Sequence, residues 1–182
     1  MGNCFQSVVD LDATEEEAPK LAADILGWLV GEGIVLVEQC DCVLGSEAGN
    51  GPGPNYVRAV SAPDDHFLRD RTNGLDVITK RTVFHSGQGG FELICAACSA
   101  HFDPTDAWGT AMGEWHEKRG PGLLPCANCG QPRPITEWRH DPEWGFGNLG
   151  FEFWNWPELK PSFVEELGTR LGHRVVLVSG KL

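Results

Sequence analysis

In the stretch PKLAADILGWLV (19–30), Leu21, Ile25, Trp28 and Leu29 recur at helical spacing, which predicts an amphipathic helix. Thr14 and Glu17 stand ahead of it at capping-box spacing, and Pro19 draws the first turn toward itself. Gly31 and Gly33 supply a stop. On either side, CFQSVVDL (4–11) and IVLVEQCDCVL (34–44) read as strands. The end of the chain has the same grammar. GNLGFEFWNW (147–156) reads as a strand, and KPSFVEELGTRLG (160–172) as a helix with Ser162 and Glu165 as its capping box. Phe163, Leu167 and Leu171 form that helix's apolar stripe, Gly172 ends it, and RVVLV (174–178) is a closing strand.

The two helix–strand units align with a single gap. Pro19 meets Pro161, Ile25 meets Leu167, Leu29 meets Leu171, and 34–37 meet 175–178. Two β-α-β units related in this way predict an α+β fold, a ferredoxin-like β-α-β-β-α-β sandwich. About one hundred intervening residues do not fit that plan. GSEAGNGPGPN (45–55) reads as a mobile loop and SAPDDHFLRDRTNG (61–74) as polar and turn-rich. TKRTVFHS and GFELIC flank GQGG (87–90) as a hairpin would. The expected organisation is a discontinuous sandwich domain of 1–60 and 141–182, a linker loop at 61–75, and an insertion at 76–140.

The insertion carries CAAC (95–98) and CANCG (126–130). Zinc takes four thiolates at tetrahedral corners, and a C-x-x-C turn aims two sulfurs at one point. Cys95, Cys98, Cys126 and Cys129 are therefore the expected ligands of one structural zinc ion, with Gly130 suited to a positive φ after the second pair. The two pairs resemble the zinc-ribbon group, over residues about 90–138 only. That resemblance implies two knuckles on adjacent hairpins holding one zinc, and implies nothing specific about function. Between the pairs, Asp103 and Pro104 open an expected helix bearing Trp108, Met112 and Trp115. Four cysteines leave no open position for a catalytic water. Pro125 precedes Cys126 as in zinc deaminases, but their H-x-E is missing. Cys40 and Cys42 read as core residues on one strand face, the alternative being a second metal site with Cys4.

Charge and composition narrow the partners. The chain has 26 Asp and Glu against 14 Lys and Arg, a formal net charge of −12, which repels phosphate backbones. Lys118, Arg119, Arg133 and Arg139 near the knuckles are interleaved with carboxylates, so nucleic acid is an unfavoured partner. There is neither a basic-then-apolar leader nor an apolar run of membrane-spanning length, and clustered cysteines fit a reducing compartment, so a cytoplasmic protein with no membrane association is expected. No nucleophile elbow, phosphate loop or paired-histidine motif occurs. His66, His85 and His140 are scattered.

The segment 137–157 is dense in aromatic residues, and its Trp138, Trp144, Trp154 and Trp156 are candidate contacts for a partner if they are not core. On a strand, Phe151 and Phe153 would share one face, and Trp154 and Trp156 the other. The functional expectation is a non-enzymatic protein-interaction domain, an inhibitor or immunity-type partner of a basic protein. The alternatives are an enzyme with a site in the 45–75 loops and a nucleic-acid-associated ribbon.

Overall fold

The structure is a computed structural model that describes residues 2–46 and 48–182; Met1 and Glu47 lie outside the described residues. The first half contains β1 (Cys4–Asp10), α1 (Ala18–Gly31), β2 (Val35–Cys40), β3 (Gly49–Pro52), β4 (Leu75–Ile78) and β5 (Thr82–Phe84). It continues through β6 (Glu92–Ile94), β7 (His101–Phe102), α2 (Asp106–His116), β8 (Leu123–Pro125), β9 (Pro132–Pro134) and β10 (Arg139–Asp141). The chain closes with β11 (Gly145–Gly147), β12 (Leu149–Trp154), α3 (Pro161–Leu171) and β13 (Val175–Lys181). No helix is long and apolar enough to cross a membrane among the described residues.

Local chemistry explains where α1 and α3 start. Thr14 and Glu17 exchange hydrogen bonds: Glu17 N–H donates to Thr14 Oγ1 and Thr14 N–H donates to Glu17 Oε2, each at 3.2 Å. This reciprocal cap closes the turn just before α1, and Pro19 then sits in the first helical turn, where its missing N–H costs nothing. At α3 the expected Ser162–Glu165 box does not form. Pro161 starts the helix with Lys160 at the N-cap, so Ser162 already lies inside the first turn. Gly172 ends α3 at φ +73°.

One antiparallel sheet of six strands runs β13-β1-β12-β4-β3-β2. Ile25 and Leu29 of α1 and Phe163, Leu167 and Leu171 of α3 share a core with Val8, Val35, Leu75, Phe151 and Phe153 of the sheet. Each such side chain, taken out of water, contributes about 1.5–3 kcal/mol before the entropy of ordering is counted. The helix residues paired by the repeat, Ile25 with Leu167 and Leu29 with Leu171, thus face one core, and the strands that follow the two helices, β2 and β13, form the sheet's opposite edges. The architecture is a mixed α/β one. A β-α-β-β-α-β sandwich has four strands, whereas here β3 and β4 lie between β12 and β2.

Of these two strands, β3 comes from a segment expected to be a loop and β4 from the start of the expected insertion. Within the Gly- and Pro-dense stretch 45–55, Gly49–Pro52 is an internal strand. Asn50 is buried there, and its side-chain N–H donates to Leu36 O at 2.9 Å. Asp65–Arg69 is a short 3-10 turn that sends Phe67 into the core, so 61–75 does more than link. β4 pairs with β12, placing 76–78 in the sheet rather than in the insertion.

The expected hairpin around GQGG is absent. β5 pairs with β11 instead, and β6 pairs with β7 and β10. The ribbon of β5 and β11 lies against the sheet face opposite the helices. Glycine permits this approach: a Cβ on Gly150 would lie 2.4 Å from Phe84 Cζ, and one on Gly147 would lie 2.4 Å from the Asp10 carbonyl oxygen.

Residues 85–144 form the second module. Its hairpins β6–β7 and β8–β9 and helix α2 enclose a second core of Leu93, Trp108, Trp115, Leu124, Ile135 and Trp138, which Phe146 of β11 also joins. Helix α2 starts with Thr105 at the N-cap, two residues later than the Asp103 start read from sequence.

Candidate metal centre

Each C-x-x-C pair is the turn of one of these hairpins, and the two turns share one hydrogen-bond pattern. In the first, Ser99 N–H donates to Cys95 O (2.8 Å) and Cys95 N–H to Ala100 O (3.0 Å). In the second, Gly130 N–H donates to Cys126 O (2.8 Å) and Cys126 N–H to Gln131 O (3.1 Å). Both turns need a left-handed residue right after the second cysteine: Gly130 at φ +70° and Ser99 at φ +56°. The first is glycine, as the sequence suggested; the second carries a Cβ where that conformation is disfavoured. Ser99→Gly is therefore expected to stabilise the metal-bound module by about 0.5 kcal/mol, the relief of strain exceeding the added freedom of the unfolded chain. A urea midpoint lower than that of the parent would contradict this.

The four sulfurs converge. Cys95 Sγ lies 3.9 Å from Cys129 Sγ, Cys98 Sγ lies 3.7 Å from Cys126 Sγ, and all four fall within 4.8 Å of one another. A tetrahedral zinc with bonds of about 2.3 Å separates its sulfurs by about 3.8 Å, so the donor set fits such an ion. Cys95 and Cys126 are buried and the other two half-buried, so the four could hold a metal ion with little access for water.

The local electrostatics favour thiolate formation. The Asn128 side-chain N–H, 3.5 Å from Cys98 Sγ, and the Ala100 N–H hold the Cys98 thiol down at about 6. At Cys129, a backbone N–H from Gln131 pulls the other way, but burial and three neighbouring sulfurs leave the thiol at about 11. One thiolate is thus ready near neutral pH, and a cation is what lets the others ionise. His101 does not compete for the site, because its Nδ1 meets Glu92 Oε2 at 2.8 Å. No other group of three or more metal-binding side chains converges among the described residues.

Cys40 and Cys42 are neither core thiols nor part of a metal site; a disulfide joins them. Their Cα atoms are 5.3 Å apart, closer than the ~6.6 Å of residues two apart on an extended strand, because β2 ends at Cys40 and the chain bends at Asp41. Cys4 is exposed.

Of the candidate partner contacts, Trp138, Trp154 and Trp156 are buried and only Trp144 is half-exposed. Trp154 and Trp156 do not share a face. Asn155 adopts φ +54°, which breaks the alternation: Trp154 packs on Phe5 and Val43, whereas Trp156 joins Tyr56, Phe67 and Phe153 under the helices. Trp144 belongs to an aromatic cluster, 4.3 Å from Phe91 and 5.2 Å from Trp108 by ring centroids. His140, read from sequence as one of several scattered histidines, is buried in this cluster and stacks on Trp144 at 5.4 Å. Burial holds its imidazole down at about 4, so the ring is neutral at pH 7.

The basic residues near the knuckles are mostly paired. Arg119 meets Glu117 (2.7 Å), Arg133 meets Glu137 (3.1 Å), and Lys118 bonds Glu15 of the sandwich. With Trp138 buried, neither a basic patch nor a stacking platform is presented there. In the 45–75 region, a polar cleft of about 520 Å³ is lined by Cys4, Asp64, His66 and Asp70. His66 contributes its backbone N–H to Asp64 Oδ1 (2.9 Å), and its imidazole makes no hydrogen bond to Cys4, so no nucleophile–base pair is assembled. Comparison with family models, curated proteins and solved structures returns no match.

Proposed function

We propose that this chain is a non-enzymatic binding protein in which one structural zinc ion folds the second module. Its target would be a basic protein that it inhibits or neutralises. The observation that carries this reading is the closed donor set. Cys95, Cys98, Cys126 and Cys129 would fill all four positions of a tetrahedral ion, leaving none for substrate or water. Zinc is favoured because soft thiolates in tetrahedral array suit it. On this reading the two knuckles are of the zinc-ribbon kind and the six-stranded sheet is a ferredoxin-like plan widened by β3 and β4. A net charge of −12 on a chain whose cations near the knuckles are largely neutralised supports a basic partner.

The test is affinity capture of the tagged, zinc-loaded protein from nuclease-treated native lysate, with mass spectrometry of what is retained. One dominant basic protein in stoichiometric amount is the expected result. A clean bait, or one retaining only nucleic acid, overturns the reading.

A further inference from the structure

The sheet face opposite the helices carries a polar row that the metal centre does not use. Ser7, Glu152 and Asp76 stand directly opposite one another on β1, β12 and β4. Ser7 is fully buried, and its hydroxyl donates to Glu152 Oε2 at 2.7 Å. Burial raises both carboxyls above their ordinary range, and the charge of Asp76 adds to this at Glu152. The charge of Lys80 offsets part of this at Asp76; no cation acts on Glu152 among the described residues.

Above this row opens a cavity of about 330 Å³, walled by Phe5, Ile78, Phe84, Trp154 and Leu182, with Glu152 in its lining and His85 its other ionisable side chain. Trp154 is 4 % exposed, and its indole N–H finds no acceptor among the described residues. An apolar pocket whose wall holds a carboxyl group with no ion-pair partner is not what a core adopts for stability alone. It is the form of a ligand site.

We propose that this cavity binds the guanidinium of an arginine side chain presented by a partner. Glu152 receives the forked N–H groups, and the rings of Phe5, Phe84 and Trp154 cover the planar cation. Guanidinium fits better than ammonium because it is flat, weakly hydrated, stacks on aromatic rings and pairs bidentately with carboxylate. The proposal deepens the reading of the chain as a binder of basic protein and rests on it for the macromolecule, while the pocket is testable without one.

The experiment is an NMR titration of the zinc-loaded full chain with N-acetyl-arginine-methylamide. Saturable shifts are expected at the Trp154 indole N–H, Ile78 and Phe84. Glu152→Gln keeps the size and removes the charge; it should weaken binding at least tenfold without lowering the thermal midpoint. In the parent protein, the Glu152 side-chain carboxyl signal, which Asp76 and His85 also face, should titrate at lower pH with the probe bound. This second measurement decides the matter if the variant does not fold. Absent shifts, equal affinity in Glu152→Gln, an unmoved carboxyl titration, or equally tight binding of N-acetyl-lysine-methylamide each overturns the site. A probe that binds although no basic protein is captured sinks the partner reading and leaves the pocket. A basic protein captured equally by Glu152→Gln sinks the pocket and leaves the partner reading.

Discussion

Stripping the metal with a strong chelator, or replacing Cys126 by serine, is expected to unfold residues 85–144 while the six-stranded sheet and its two helices persist. Cys95 and Cys126 are themselves part of the second core, packed among Leu93, Trp108, Leu124 and Trp138. This core lies on short hairpins, whose strands of two or three residues are marginal by themselves. Metal-binding free energy is therefore folding free energy there, on the order of 10 kcal/mol for structural zinc. The loss should appear as a collapse of the near-UV signal of Trp108, Trp115 and Trp138. Amide hydrogens of β1, β12 and β13 should stay protected from exchange. A chelated protein that kept its near-UV spectrum and thermal midpoint would show that the cysteines hold no structural metal.

The second large effect lies in the sandwich. Phe153→Ala is expected to destabilise the protein by about 3–5 kcal/mol, the usual cost of truncating a buried phenylalanine. Phe153 is fully buried, with ring centroids 5.0 Å from Trp156 and 6.0 Å from Phe163, so its removal opens a cavity between sheet and helix. Equilibrium urea denaturation of the zinc-loaded protein measures the change. A shift below 1 kcal/mol would mean that the aromatic segment is not the packed core described here.

What could be read from the chain was local. The knuckles were legible because a C-x-x-C turn encodes its own geometry within six residues, down to the left-handed Gly130. The helices were legible because Ile25 and Leu29, like Leu167 and Leu171, recur with the period of the element that buries them. Pairings between distant strands were not. Nothing in TVF announces Gly145–Gly147 as its partner, and the glycines of GQGG read as a hairpin turn. In fact Gly87 lies against the backbone of Lys181, where a Cβ would meet its carbonyl oxygen at 2.2 Å. The stretch 45–55 was misread because glycine signals a loop, although here it permits close packing: a Cβ on Gly53 would fall 2.3 Å from Gly33 O. Asn155 reversed the parity of the tryptophans through a single backbone angle that composition does not reveal. One signal was present and unused. Glu152 stands alone between Phe151 and Phe153, and a carboxylate in so apolar a strand marks a face with a purpose.

The pairing of Phe84 with Gly145 brings together the points where the chain leaves the sandwich and returns to it. When the metal is lost, the unfolded part is a loop of about 60 residues whose ends are already joined, and the closure entropy of such a loop grows only with the logarithm of its length. Beyond this stem the carrier fold meets what it carries at Lys118 with Glu15 and at Gly87 with Lys181. The same stem makes the module separable: the stretch between Phe84 and Gly145 could be exchanged for a short turn, much as a cartridge is changed in a fixed socket.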